Sequence, residues 1–409
     1  MGAQLLPIVA LLTSTFFLLV GIGLQGILMP VRAASEGWNA YEIGLMGTAY
    51  AIAFTIGCLV APRLVKSAGH IRTFSSLAAL LAVCVLLNGL WVSPIGWIPV
   101  RALSGFAIAG AYMVIESWLN ERVTNETRGL VFSLYMAVSM AAMMGGQFSL
   151  PVVGEGVPAA FMLCAIFYAL AVIPNALSRA PSPKPLVQAS LDLRMIWRNS
   201  PAAVVCVTLS GVLSGAWTNM APVFGQRVGL STAEISTLLV ATMGGGLVFQ
   251  FPLGRLSDRI DRRLVMVLAG LIGLSAALAG LLVWGSGHLP LFAIAFVIGG
   301  VIYPAYSLAV AHANDFARPT DFVKISGGLL ILYGFGTMAG PMLAAWLMET
   351  IGPRGLFLAT GASHASFATY AAWRMARRPD VVPPAERSDA PSLPTAPLTT
   401  PESLRREMA

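Results

Sequence analysis

The chain has 409 residues, 57% of them hydrophobic and only 11% charged, with a mean hydropathy of +0.77. Soluble domains carry about 25% charged residues, so a soluble globular protein is excluded. The net charge of +7 does not point to nucleic acid, because the basic residues lie in short loops beside apolar runs, as orientation in a bilayer requires.

About twenty apolar residues cross a bilayer as a helix. Runs of that kind occur at 5–30, 42–65, 73–93, 97–119, 129–152, 158–177, 202–222, 233–253, 264–285, 290–312, 325–348 and 354–373. The expected fold is therefore an all-α membrane protein with twelve transmembrane helices. No Lys or Arg precedes Arg32, and the first run is longer than a signal-peptide core, so it reads as a retained helix. With both termini in the cytoplasm, the inner loops and tail hold every one of the 25 Lys and Arg residues except Arg32, Arg101, Arg227 and Arg354. That asymmetry orients the chain as a multi-pass membrane protein with both termini on the cytoplasmic side.

Residues 179–200 carry Pro181, Pro183 and Pro185 with Arg179, Lys184, Arg194 and Arg198. This reads as a cytoplasmic linker between an N-terminal six-helix bundle, 1–178, and a C-terminal one, 201–375. The stretch 376–409 is rich in Pro, Ser, Thr and charge and is expected to be a disordered cytoplasmic tail. An internal repeat supports the two halves. Pro30 and Pro222, Gly37 and Gly229, Glu42 and Glu234, Ile43 and Ile235, Arg63 and Arg255, and Leu64 and Leu256 are all 192 residues apart. Cys58, Cys84, Cys164 and Cys206 sit in apolar runs without paired spacing, so neither a disulfide framework nor a zinc site is indicated.

Polar residues inside the spans are the functional candidates, because ionisable groups at membrane depth face a cavity or a partner. Gln25 in the first span and Trp217 in the seventh share one level of the repeat, with Asn219 one turn from Pro222. Tyr303, Tyr306 and Tyr333 could extend an aromatic wall; singly each reads as packing, and the pocket reading rests on the set. Arg101 could bind an anionic substrate, pair with a carboxylate or snorkel to the headgroups. Glu116 lies inside the fourth span with Tyr112 one turn earlier on the same face. It is a candidate proton-coupling or substrate-contacting carboxylate, against the alternative of a structural ion pair with Arg122 or Arg128.

The most charged stretch is Gly254–Arg263, with six charged residues between two apolar runs. The pattern Gly254-x-x-x-Asp258-Arg259-x-x-Arg262-Arg263 resembles the loop between the eighth and ninth helices of major facilitator superfamily (MFS) transporters. Asp261 stands where that family usually has a second glycine. In the other half Lys66 stands opposite Asp258 and Gly69 opposite Asp261. The resemblance implies two six-helix bundles related by pseudo-two-fold symmetry. It also implies a gating carboxylate at Asp258 within a network of arginines, to which Lys66 could not contribute an anion. Asp258 is expected to accept from free amides of the eleventh helix near 322–325, where a helix dipole favours an anion; the alternative is that these charges only set topology.

Glu121 and Arg128-Gly129 are similar to the turn between the fourth and fifth helices of sugar porters. Glu116-Ser117, twelve residues ahead of Arg128-Gly129, looks like the YcaD-like branch of bacterial permeases. Arg101, followed by Gly105, is only loosely similar to the family's Arg-x-x-x-x-Gly pattern. The glycine-proline motif of drug/proton antiporters is not matched, since Gly145-Gly146 are followed by Gln147 and Pro151 comes late.

These residues together imply a secondary active transporter of a small organic molecule, working by alternating access and coupled to protons. A transporter-like sensor that binds a ligand without moving it is the alternative from another class, and a drug or metabolite proton antiporter is the alternative within transport. No nucleotide-binding loop is present, which argues against ATP-driven transport. The expected partners are the substrate, protons and the lipid bilayer. No cofactor, metal, enzymatic activity or nucleic-acid partner is expected, and the resemblance implies a monomer.

Overall fold

The computed structural model describes residues 2–122, 128–154, 158–177, 192–283, 287–317 and 321–377, excepting the side chains of 2–8, 121–122, 128–130 and 322–323. Among the described residues there are thirteen α-helices and no strands. They are α1 Gly2–Ser35, α2 Ala40–Ala68, α3 His70–Leu90, α4 Pro94–Arg122, α5 Arg128–Val153, α6 Pro158–Ala176, α7 Leu193–Asn199, α8 Pro201–Arg227, α9 Thr232–Arg259, α10 Arg262–Val283, α11 His288–Asp315, α12 Phe322–Ile351 and α13 Gly355–Arg377. The twelve expected spans correspond to α1–α6 and α8–α13. Eleven of these helices are long and apolar enough to cross a membrane. The twelfth, α13, is more polar, with Thr360, Ser363 and His364 buried. Its hydroxyls return to its own backbone, Thr360 to the Leu356 carbonyl at 3.0 Å and Ser363 to that of Ala359 at 2.8 Å, so they need no water at depth.

The last part of the expected linker is helical, as α7. Asp192 caps α7 by accepting from the Met195 N–H, and Ser200 caps α8 by accepting from the Ala203 N–H. These two caps start α7 and α8 in quick succession and make a helix elbow of residues 192–203. Residues 179–191 of the linker and 378–409 of the tail lie outside the described residues.

The chain forms two units. The first holds α1, most of α2, and α3–α6; the second holds Gly37–Thr48 at the start of α2 together with α7–α13. Each uses the same internal packing plan. In the first, α1 packs on α5 and α6, and α3 on α4 and α6; in the second, α8 packs on α12 and α13, and α10 on α11 and α13.

The 192-residue repeat has a local physical cause. Gly37 and Gly229 both adopt a left-handed turn, with φ of 80° and 81°, a conformation that favours glycine. Two residues on, a reciprocal capping box starts the next helix in each copy. The Asn39 side chain accepts from the Glu42 N–H at 2.9 Å while Glu42 accepts from the Asn39 N–H at 3.0 Å. Ser231 and Glu234 repeat the exchange at 3.3 and 2.8 Å. Matching residues at one offset therefore mark matching helix starts. Elsewhere, bare glycines allow helix backbones to touch: a methyl group on Gly245 of α9 would overlap the Phe296 carbonyl of α11, and one on Gly299 that of Thr242.

Candidate functional site

In the first unit, α4 carries a polar column. Arg101, Tyr112 and Glu116 are 11 and 4 residues apart, close to whole numbers of helical turns, so they share a face. The Arg101 guanidinium lies over the Tyr50 ring of α2, 4.4 Å from its centroid. A membrane arginine thus finds a π face inside its own unit, a cation–π contact that gains strength away from water. Tyr112 neighbours both Tyr50 and Glu116, and Tyr135 of α5 lies beside Glu116 and Tyr112. Glu116 itself is fully buried, at 0% exposure, and Tyr112 is nearly so. The next residue, Ser117, meets the His70 ring nitrogen Nε2 at 3.3 Å, and His70 stacks on Trp118 with centroids 6.3 Å apart.

Gln25 of α1 is buried, and its Oε1 accepts from the Tyr168 hydroxyl of α6 at 2.7 Å. Its Nε2 has no hydrogen-bond partner among the described residues. The side chains of Glu121 and Arg128, and of Arg122, lie outside the described residues. Lys66 is exposed near the end of α2.

In the second unit, Trp217 of α8 donates through Nε1 to the Thr242 hydroxyl of α9 at 3.0 Å and packs on Phe357. Asn219 donates to the Gly215 carbonyl at 2.8 Å, and its amide lies against Gly47 of the α2 segment counted in this unit. Tyr306 and Tyr333 meet edge to face at 5.2 Å. Tyr303 packs on Gly246, and Ser214 neighbours Tyr333. The Tyr306 hydroxyl is buried without a hydrogen-bond partner among the described residues. The structure thus brings Tyr303, Tyr306 and Tyr333 together on α11 and α12, while Gln25 and Trp217 are each committed to a neighbour in their own unit.

The charged turn is centred on Arg262. Its Nη1 donates to Asp258 at 2.9 Å and to Ser257 at 3.1 Å, and its Nε and Nη2 donate to Asp315 of α11 at 2.7 and 3.3 Å. Asp258 pairs with Arg262 at i,i+4, and its side chain is 68% exposed. Arg263 forms a fork with Asp261, which also accepts from the Arg263 N–H at 2.9 Å. Burial alone would raise the Asp261 pKa, but the Arg263 hydrogen bonds and charge outweigh it and hold the carboxyl below its ordinary value, with His312 adding to the effect. Gly254 is partly buried and Arg259 exposed, at the last turn of α9.

Sequence reasoning did not single out Tyr50, Tyr135, Tyr168, Thr242 or Asp315. Asp315 had a usable signal, since it is an acid closing an apolar run near a surplus of arginines. The other four carry none, because a tyrosine or threonine in a span announces no partner.

The model of the family described as Major Facilitator Superfamily matches residues 11–233 and 203–407. An uncharacterized MFS-type transporter of Yersinia pestis (strain Pestoides F) is 25% identical over 366 residues, spanning 88% of this chain and 93% of the relative. The uncharacterized MFS-type transporter YcaD of Escherichia fergusonii is 23% identical over 354 residues, spanning 86% and 91%. Among solved structures, the nucleoside transporter NupG aligns with a TM-score of 0.72 at 12% identity, over 90% of this chain and 98% of that one. A bacterial homologue of the human lysosomal transporter Spinster, inward-facing and unoccupied, aligns with a TM-score of 0.71 at 11% identity, over 94% and 98%. These two likenesses are of fold, and the family match extends over both halves of a chain whose two units repeat one packing plan. The chain belongs to the Major Facilitator Superfamily of membrane transporters.

Proposed function

We propose that this protein is a secondary active transporter that moves a small organic molecule by alternating access, with Glu116 exchanging the coupling protons. The single observation that carries this reading is a fully buried carboxylate, Glu116, in the fourth span of a transporter-family chain, on the helix face that also holds Tyr112 and Arg101. Carboxylates at membrane depth are the usual elements of proton relays. Within the first unit, Arg101 and Tyr112 supply polar and aromatic surface for a substrate. In the same unit the Gln25 amide is a buried donor without a partner among the described residues, and buried polar atoms of that kind are few in native proteins. It favours a substrate with hydrogen-bond acceptors.

The proposal includes a domain plan of two bundles, 1–178 and 201–375, joined by 179–200. It also includes a bacterial inner-membrane location with both termini cytoplasmic, supported by the distribution of Lys and Arg, and a monomeric state. The Asp258–Arg262–Asp315 cluster then lies on the cytoplasmic face, and it serves as the gate network in which Gly254, Arg259 and Arg263 take part.

The test begins with thermal stabilisation of the purified protein by metabolites at two pH values. A ligand at a hundredfold its Kd adds about 2.7 kcal/mol to the folded state. A ligand found this way is then followed into proteoliposomes, with an internal pH dye. Substrate flux accompanied by a pH change, both lost in Glu116→Gln, is the expected result. Flux that keeps its pH dependence in Glu116→Gln removes the proton role, and binding without flux moves the reading to a sensor.

A further inference from the structure

Helix α7 is short and firmly held. Its cap is the Asp192 carboxylate on the Met195 N–H at 2.9 Å. Ile196 is fully buried in the core that also contains Ala203, Val207 and Val301. At its end the Asn199 side chain donates to the Ala313 carbonyl of α11 at 2.8 Å. The remaining faces are open. Leu193 and Trp197, one turn apart, are each 50% exposed, and Arg194 and Arg198, also one turn apart, are exposed beside them.

Leu193, Arg194, Trp197 and Arg198 line a surface groove of about 500 Å³ with Val204, one turn inside the spanning helix α8. An indole at the start of a spanning helix stands at headgroup level. Two guanidinium groups one turn apart match the oxygens of a phosphate.

The occupant must satisfy both parts of this surface. A soluble anion would use the arginines and leave the apolar groove empty. A zwitterionic lipid would use the groove with little demand for two cations. A protein partner would need a patch of about 800 Å² per side, more than one face of a seven-residue helix offers. Charge and apolar shape together fit an amphiphile with an anionic head.

We propose that the groove at the α7–α8 elbow binds an anionic phospholipid, with the phosphate held by Arg194 and Arg198 and an acyl chain along Leu193, Trp197 and Val204. Basic residues at the membrane surface attract anionic lipid headgroups. Two of them on a fixed helix select the headgroup, and the groove selects a bilayer lipid over a free phosphate.

The experiment places the full-length protein in nanodiscs of phosphatidylcholine. The discs are doped with brominated phosphatidylglycerol or, at equal mole fraction, with brominated phosphatidylcholine. The chain has nine tryptophans, so the Trp197 signal is read as the difference between wild type and Trp197→Phe. That signal is expected to be quenched several-fold more by the anionic lipid. The preference is expected to vanish in the double variant R194Q/R198Q and to survive in R194K/R198K, which keeps the charge at the same positions. Both arginines are exposed, and an unchanged melting temperature confirms that either variant folds. Equal quenching by the two lipids overturns the proposal, as does a preference that survives in R194Q/R198Q. Displacement of the anionic lipid by inorganic phosphate would identify a phosphate site without lipid selectivity and would also overturn it.

Discussion

Arg262 holds Asp315 in a two-pronged pair, with Nε to Oδ2 at 2.7 Å and Nη2 to Oδ1 at 3.3 Å, and the two side chains are only 8% and 4% exposed. The same guanidinium reaches Asp258 at 2.9 Å, but that carboxylate is 68% exposed. One arginine therefore ties the start of α10 to the end of α11 through a buried contact and to the end of α9 through a wet one.

This difference predicts unequal costs for two similar substitutions. Removing one partner of a buried pair leaves an uncompensated charge and costs about 3–5 kcal/mol. An exposed pair contributes about 0.2–1 kcal/mol. Asp315→Asn is expected to lower the unfolding midpoint in detergent strongly and Asp258→Asn slightly. Similar losses from the two would mean that Asp258 carries more of the turn than its exposure implies.

Asp261 provides a pH signature. The fold holds its carboxyl below the ordinary value of 3.8, because the Arg263 hydrogen bonds and charge exceed the opposing effect of burial. A carboxyl whose pKa is lowered by folding adds stability that is fully present above the unfolded value and is lost as pH falls through the folded one. The melting-temperature gap between wild type and Asp261→Asn is therefore expected to be constant above about pH 5 and to narrow below about pH 4. A gap that stays level to pH 3 would show that the Arg263 contact is not made in solution.

At the crossing of α9 and α11, Gly245 leaves no room for a side chain, since a methyl group would overlap the Phe296 carbonyl. Backbone cannot move aside as a flexible side chain can. Gly245→Ala is expected to cost about 1–3 kcal/mol by overpacking. Gly254→Ala, with nothing within 4 Å of the added carbon, is the matched control and is expected to be neutral or mildly stabilising. The same melting assay reads both.

Gln25 and Tyr168 offer a double-mutant cycle inside the first unit. Tyr168→Phe leaves Gln25 Oε1 buried without its 2.7 Å partner, at a cost of about 1–3 kcal/mol. Replacing Gln25 by Leu at the same time removes the stranded group and is expected to recover part of that loss. If the two losses simply add, the hydrogen bond contributes nothing to stability.

The spans, the repeat and the charged turn could be read from the sequence for physical reasons that act locally. Bilayer thickness sets the length of an apolar run, and Gly37 and Gly229 at one offset mark the same left-handed turn, followed by the same capping box. The partners could not be read, because they come from packing between residues far apart in the chain. Arg101 over Tyr50, Gln25 with Tyr168, Trp217 with Thr242 and Arg262 with Asp315 each join different helices, and no local pattern fixes which faces meet. The polar side chains were expected to serve as pocket linings or loop charges. Tertiary structure decided which side chains they meet, because a buried polar group in a membrane helix must find its partner within the protein.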